Sequence, residues 1–295
     1  MLICDTHADT LWAVSSGNQT TDVTLANLTA TNDVRLQALA LYIPTGGMQQ
    51  KPTALEKELA ALQMLKAQGF RQVRTVEEAV AGEANVLLTI EGGEAFGSDP
   101  ASVEQFDRMG VRIAALTWNN ENLLGYPALS GSDEGLKPFG QEIVRRMHAA
   151  HMAVDVSHLN ERGFWQLMDG AVCPMASHSC AWALCHHPRN LNNDQLRALF
   201  RAGGFVGVNF YASFLSEDGR ADIDRIVDHM AYMCDLGGED CVGFGSDFDG
   251  IDAYPEGMRT AGDVPALIDR LRSRGFGAVT EKIAGLNFQR YMNQL

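Results

Sequence analysis

The sequence predicts a single (β/α)8 TIM barrel of the metal-dependent hydrolase type. Three observations lead there: eight short apolar runs, helical patterns between them, and a chain of 295 residues, where this fold needs about 250 plus insertions. The alternative is an open doubly wound sheet, which is disfavoured because no G-x-G-x-x-G follows the first run. No linker-like Ser, Pro or Gly stretch and no internal repeat divides the chain, so residues 1–295 are read as one catalytic domain.

The eight runs fall at residues 2–5, 35–43, 85–91, 112–118, 152–158, 173–178, 204–210 and 241–247. Each is short, apolar and closed by polar or ligand-type residues, as expected of buried parallel strands. Helical periodicity covers 54–68, 139–151, 194–202 and 223–236, with Gly69 and Gly203 placed as helix C-caps. The tail over 263–295 reads as helix closing the outside of the barrel.

Composition bounds the function. A chain that is 46% hydrophobic and 20% charged buries a large core, which rules against disorder. The net charge of −14, from 37 acidic against 23 basic side chains, argues against nucleic acid or anionic lipid as a partner. No apolar run approaches the ~20 residues that span a bilayer, and the chain opens on strand-like residues, so a cytoplasmic protein without a membrane partner is expected. Six cysteines without C-x-x-C spacing read as reduced, buried and inert.

Chemistry in such barrels sits where the strands end. The first run leads into His7 and Asp9, the third ends in Glu91, the fifth in His158, the sixth in His178 and the eighth in Asp247. On an extended strand i and i+2 share a side, which would aim His7 and Asp9 at one ion. Three histidines and three carboxylates are enough ligands for two ions. If Glu91 bridges, one ion takes His7 and Asp9 and the other takes His158 and His178. A pair of ions ~3.5 to 4 Å apart activates a shared water and polarises a carbonyl, so the chemistry is hydrolysis. His148, His151 and His229 lie in helical patterns and read as structural, while His186 and His187 fall in the loop after the sixth run.

Taken together, Asp5-Thr6-His7-Ala8-Asp9, Glu91-Gly92-Gly93, Gly110-Val111-Arg112, Asp155-Val156-Ser157-His158, Ser177-His178-Ser179, Arg189-Asn190, Val208-Asn209-Phe210-Tyr211 and Gly243-Phe244-Gly245-Ser246-Asp247-Phe248-Asp249-Gly250 resemble the membrane or renal dipeptidases and their bacterial relatives. These are metallopeptidases of the amidohydrolase superfamily. The resemblance implies two zinc ions, His7, Asp9 and Glu91 on one and Glu91, His158 and His178 on the other, with manganese or cobalt as acceptable substitutes. It further implies that Asp247 carries the proton from a metal-bridging hydroxide to the leaving amine, and that Arg189 binds the substrate's terminal carboxylate. Asp249, two residues on, is a secondary candidate for the proton-carrying role. Tolerance of L-D dipeptides, slow opening of β-lactams and a homodimer are also family traits, and a bacterial type without the signal and anchor segments of the animal enzymes is expected.

One position departs from the family. Where the renal enzymes end the fourth strand in a histidine, this chain reads Leu116-Thr117-Trp118-Asn119. An indole donates one hydrogen bond but does not titrate. Trp118 is therefore read as an apolar wall for a substrate side chain or as core packing, with Asn119 or Asn120 supplying the missing donor and Tyr211 a further substrate contact. Residues 44–51 and 125–138 are expected to border the site. The expected function is hydrolysis of small dipeptides. Two alternatives stand beside it: the same centre acting on a lactone, cyclic amide or N-acyl amino acid, and a metal-binding barrel without turnover.

Overall fold

The computed structural model describes residues 1–43, 51–170 and 173–295. Nine parallel strands form one sheet: β1 (Leu2–Asp5), β2 (Val34–Tyr42), β3 (Phe70–Val73), β4 (Ala84–Glu91), β5 (Val111–Ala115), β6 (Ala153–Asp155), β7 (Met175–Ala176), β8 (Phe205–Val208) and β9 (Val242–Phe244). Eight of them close a ring, because β2 pairs with β1 on one side and with β4 on the other. The predicted TIM barrel is therefore present. β3 is the strand that periodicity did not show. It pairs with Ala84 to Leu87 of β4 and occupies the flank that β5, which begins pairing at Leu88, leaves free.

Alternation along the strands sorts the apolar side chains into two layers. Leu36 and Ala38 of β2 join Leu87, Ile113, Met175 and Phe205 in the lumen cluster, whereas Leu39 and Leu41 face the helices. The helices follow the sequence reading closely: Lys51–Gln68, Pro138–Ala149, Asn193–Arg201 and Ile223–Met233. Gly69 and Gly203 follow two of them with positive φ. The tail differs from expectation. Its last helix, Asn287–Met292, packs Phe288, Tyr291 and Met292 into the lumen cluster, so it seals the barrel floor instead of lying on the outside. Aromatic side chains are large enough to plug the N-terminal end of a barrel, and Phe288 and Tyr291 pack there against Phe205.

All six cysteines are free, and burial pushes the Cys234 thiol up to about 12. No helix among the described residues is long and apolar enough to cross a membrane.

Candidate metal centre and substrate cleft

The strands are shorter than the apolar runs, and this moves most site residues onto the turns that follow them. Only Glu91 is a strand residue. β1 stops at Asp5, and Asp9 caps the helix Thr10–Ser15 with φ −97° and ψ 26°. The i, i+2 strand argument for His7 and Asp9 thus fails in its geometry. The turn nevertheless brings them together, with His7 Nε2 3.9 Å from Asp9 Oδ1. His158 and Asp247 sit past β6 and β9 with φ of 68° and 66°. Left-handed backbone at residues other than glycine costs energy and gathers at functional sites, where it turns a side chain that a strand would point elsewhere.

Glu91 is the hub. Its Oε1 lies 3.7 Å from His7 Nε2, 3.0 Å from His158 Nε2 and 3.4 Å from His178 Nε2. Two ligand-type clusters share it: His7 with Asp9 and Glu91, and Glu91 with His158 and His178. A third joins His7 and His178 to Asp247, whose Oδ1 is 3.6 Å from His7 Nε2. These side chains are buried. Burial, then repulsion from neighbouring carboxylates, pushes Asp9 and Glu91 well above the usual carboxylate range. Burial lowers His178 to about 4 and drives His7 and His158 down as well. The imidazoles are neutral at pH 7 and therefore present lone pairs.

These residues fit divalent cations. His7 Nε2 and Asp9 Oδ1 are buried without a hydrogen-bond partner, and His158 Nε2 faces His178 Nε2 at 3.0 Å. Such an arrangement of acceptors has no donor between them, and a cation supplies what they lack. Mixed imidazole and carboxylate ligation is a zinc-type donor set.

Hydrogen bonds from behind fix two of the three imidazoles, His178 and His158. His178 Nδ1 donates to Ser177 Oγ at 2.7 Å, and Ser177 Oγ donates to Asp155 Oδ2 at 2.5 Å. His158 Nδ1 donates to Asn119 Oδ1 at 2.8 Å. Each bond places the proton on Nδ1 and leaves Nε2 free to ligate. Two buried strand-end carboxylates then hold the turns. Asp155 Oδ1 accepts from the amides of Ser157 and Ser177, and Asp5 Oδ1 accepts from those of His7 and Ser246. Asn209 Nδ2 donates to Asp247 Oδ2 at 2.9 Å and orients the remaining oxygen toward the ligands. Gly250 passes so close that a Cβ would lie 2.0 Å from Asp9 Oδ2. Gly92, directly after Glu91, turns the chain away with φ 91°.

Asp155, Ser177, Asn209 and Gly250 were not among the expected site residues. For Asp155 a signal exists, a lone carboxylate inside an apolar run three residues before His158; for the others only the fold reveals the role. Asn119 lies beside the cleft as expected, but its Oδ1 is engaged with His158. Asp249 has its oxygens taken by the Thr10 hydroxyl and the Asp22 amide, which makes it a loop anchor. His229 is structural: Nδ1 accepts from Ala181 N and Nε2 donates to Leu215 O.

A cleft of about 430 Å³ opens over the ligands, bordered by Trp12, Tyr42, Trp118, Asn119, Tyr211 and Phe214 among others. That volume suits a small-molecule ligand. Arg189 is 4% exposed, donates weakly to His178 O at 3.4 Å and sits over the Phe214 ring. It borders a neighbouring cavity that also takes in Ala128, the one residue of 125–138 found at either opening. That loop does not border the metal cleft. The other expected border, 44–51, lies outside the described residues except for its last backbone position.

The sequence matches the membrane dipeptidase family (peptidase family M19) over residues 1–295. The chain belongs to that family. This family consists of metallo-dipeptidases. The chain is 36% identical over 260 residues to an uncharacterized protein from the pqqA 5′ region of Klebsiella pneumoniae, covering 82% of this chain and 96% of that one. It is 37% identical to an uncharacterized dipeptidase of Schizosaccharomyces pombe over 69% of its own length and 51% of the fungal protein, about half of the longer chain. Among solved structures, a metallopeptidase from Rhodobacter sphaeroides, liganded with a phosphinate mimic of the dipeptide L-Ala-D-Ala, superposes with a TM-score of 0.88. The two are 26% identical, and 99% of each chain is covered.

Proposed function

We propose that this chain hydrolyses the peptide bond of small dipeptides, L-D pairs included, at a two-zinc centre held by His7, Asp9, Glu91, His158 and His178. The observation that carries the reading is the shared Glu91: one carboxylate stands in two ligand clusters at once. Bound there, the ions would supply Lewis acidity, lowering the pKa of water and polarising the scissile carbonyl. The rest falls to the chain's own side chains. Asp247, oriented by Asn209, takes the proton of the attacking water and returns it to the leaving amine. Arg189 offers a planar cation for the substrate's terminal carboxylate, and its buried Nε has no partner. Trp118 and Tyr211 flank the substrate in the cleft. The phosphinate mimic of L-Ala-D-Ala in the Rhodobacter relative motivates the L-D assignment. Residues 1–295 act as one catalytic domain, in keeping with the extent of the family match.

The test is a substrate panel on protein stripped of metal and reloaded with zinc, manganese or cobalt. Release of free amino acids from L-L and L-D dipeptides is expected only in the loaded forms. No release from any dipeptide sinks the proposal, and preferential turnover of lactones or N-acyl amino acids in the same panel reassigns the substrate.

A further inference from the structure

The cleft has two unlike sides. On one, Trp12 follows β1, Tyr42 ends β2 and Trp118 follows β5. Their rings form a continuous edge-to-face series, Trp12 to Tyr42 at 5.3 Å and 85°, and Tyr42 to Trp118 at 5.0 Å and 70°. All three border the cleft together with Glu91 and His158, and each is only partly buried. The other side carries Tyr211 after β8 and then Phe214, and Arg189, in the segment after β7, lies over the Phe214 ring and borders the neighbouring cavity. In the closed ring β1, β2, β4 and β5 are contiguous, and β7 and β8 lie across the barrel from them.

We propose that Trp12, Tyr42 and Trp118 form the pocket for the side chain of the substrate's N-terminal residue, and that this pocket selects apolar and aromatic side chains over acidic ones. The proposal rests on the dipeptidase reading above. A dipeptide whose carboxylate is drawn toward Arg189 spans the metal ligands and leaves its first residue against the aromatic series. Aromatic faces reward apolar and aromatic partners. An acidic side chain there would lose its hydration and meet no cation, because among the described residues no Lys or Arg stands on the aromatic side of the cleft. Two carboxylates outside the ligand set, Asp249 and Asp252, border the same cleft. The substrate's ammonium meets no such opposition.

The experiment compares kcat/KM for Phe-Ala, Leu-Ala, Ala-Ala and Glu-Ala on the zinc-loaded parent and on Trp118→Ala, Trp118→His and Trp12→Ala. In the parent, Phe-Ala and Leu-Ala are expected to exceed Glu-Ala by at least about tenfold. The preference for Phe-Ala over Ala-Ala is expected to shrink by about tenfold in Trp118→Ala and less in Trp12→Ala, the scale set by aromatic pairing and lost apolar burial. Calorimetric binding of phosphinate mimics bearing Phe or Ala side chains gives the same ratio without turnover. Dipeptide hydrolysis with Glu-Ala equal or favoured, or a preference unmoved in every folded variant, overturns this pocket alone. No dipeptide hydrolysis overturns it along with the dipeptidase reading.

Discussion

The metal-ligand ring and the aromatic wall share one cleft but are held in place by different forces. In the ring, His158 and His178 are each oriented by a hydrogen bond with a second residue, and behind His178 Ser177 is held in turn by Asp155, which also accepts from two backbone amides. The wall has no such scaffold. Its rings pack edge to face, and beside them the Tyr42 amide donates to Glu58 Oε2 at 2.7 Å. Hydrogen bonds fix direction within narrow limits, which two ions need, whereas dispersion tolerates rearrangement, which suits substrates of varied shape.

The largest effect expected from breaking the ring is at the proton carrier. Asp247→Asn keeps the size of the side chain and leaves the five ligands in place, yet kcat should fall by on the order of 10²–10⁴ with metal content unchanged. Steady-state kinetics alongside metal analysis decides it, and a variant with parental kcat would remove Asp247 from the reaction.

Next comes the brace behind His178. In Asp155→Asn the amide cannot accept from Ser177 Oγ, so the Ser177 hydroxyl turns round and the Nδ1 tautomer of His178 loses its support. Metal affinity should weaken about 10- to 100-fold, as read by chelator competition. Affinity equal to the parent's would show that the ring does not depend on this chain of bonds.

A smaller effect is expected at Gly250. Gly250→Ala forces a methyl against Asp9 and costs about 1–3 kcal/mol of stability, larger in the metal-loaded protein than in the metal-free protein, because Asp9 must move off its ion. Denaturant unfolding in both forms measures the difference, and equal losses would mean that Asp9 gives way without consequence.

Last come the wall's support and the pH dependence of stability. Glu58 is 0% exposed, and burial pushes its carboxyl up to about 9. Between the ordinary value near 4.3 and that raised one, the folded protein keeps a proton that the unfolded chain releases. Stability therefore falls as pH rises through this window, by at most about 1.4 kcal/mol per pH unit. Glu58→Gln keeps an acceptor for Tyr42 N and should flatten the slope between pH 5 and 8 in urea titrations. An unchanged slope would place the charge elsewhere.

Much of this was legible in the sequence because it depends on local pattern. Apolar runs of four to nine residues with polar ends marked each barrel strand, and ligand-type residues at those ends marked the centre. β3 escaped because a strand with two exposed or half-exposed positions in four, such as Phe70–Val73, lacks a continuous apolar signal. The route of the chain past each strand also escaped. His7 and Asp9 looked like neighbours on an extended strand, yet a turn and a helix start bring them together.

The sequence alone determined the barrel, the acidic character that disfavours nucleic acid, and the set of ligand-type residues, since these follow from periodicity, composition and residue chemistry. Tertiary structure alone decided that Glu91 belongs to two clusters, that Asn119 braces His158, that Asn209 orients Asp247 and that Trp118 joins Trp12 and Tyr42 in one wall. The partners in those pairs are 30 or more residues apart in the chain. Pairing of neighbouring barrel strands, with the ring closed between β2 and β4, sets them at ångström distances, and no local pattern encodes that distance.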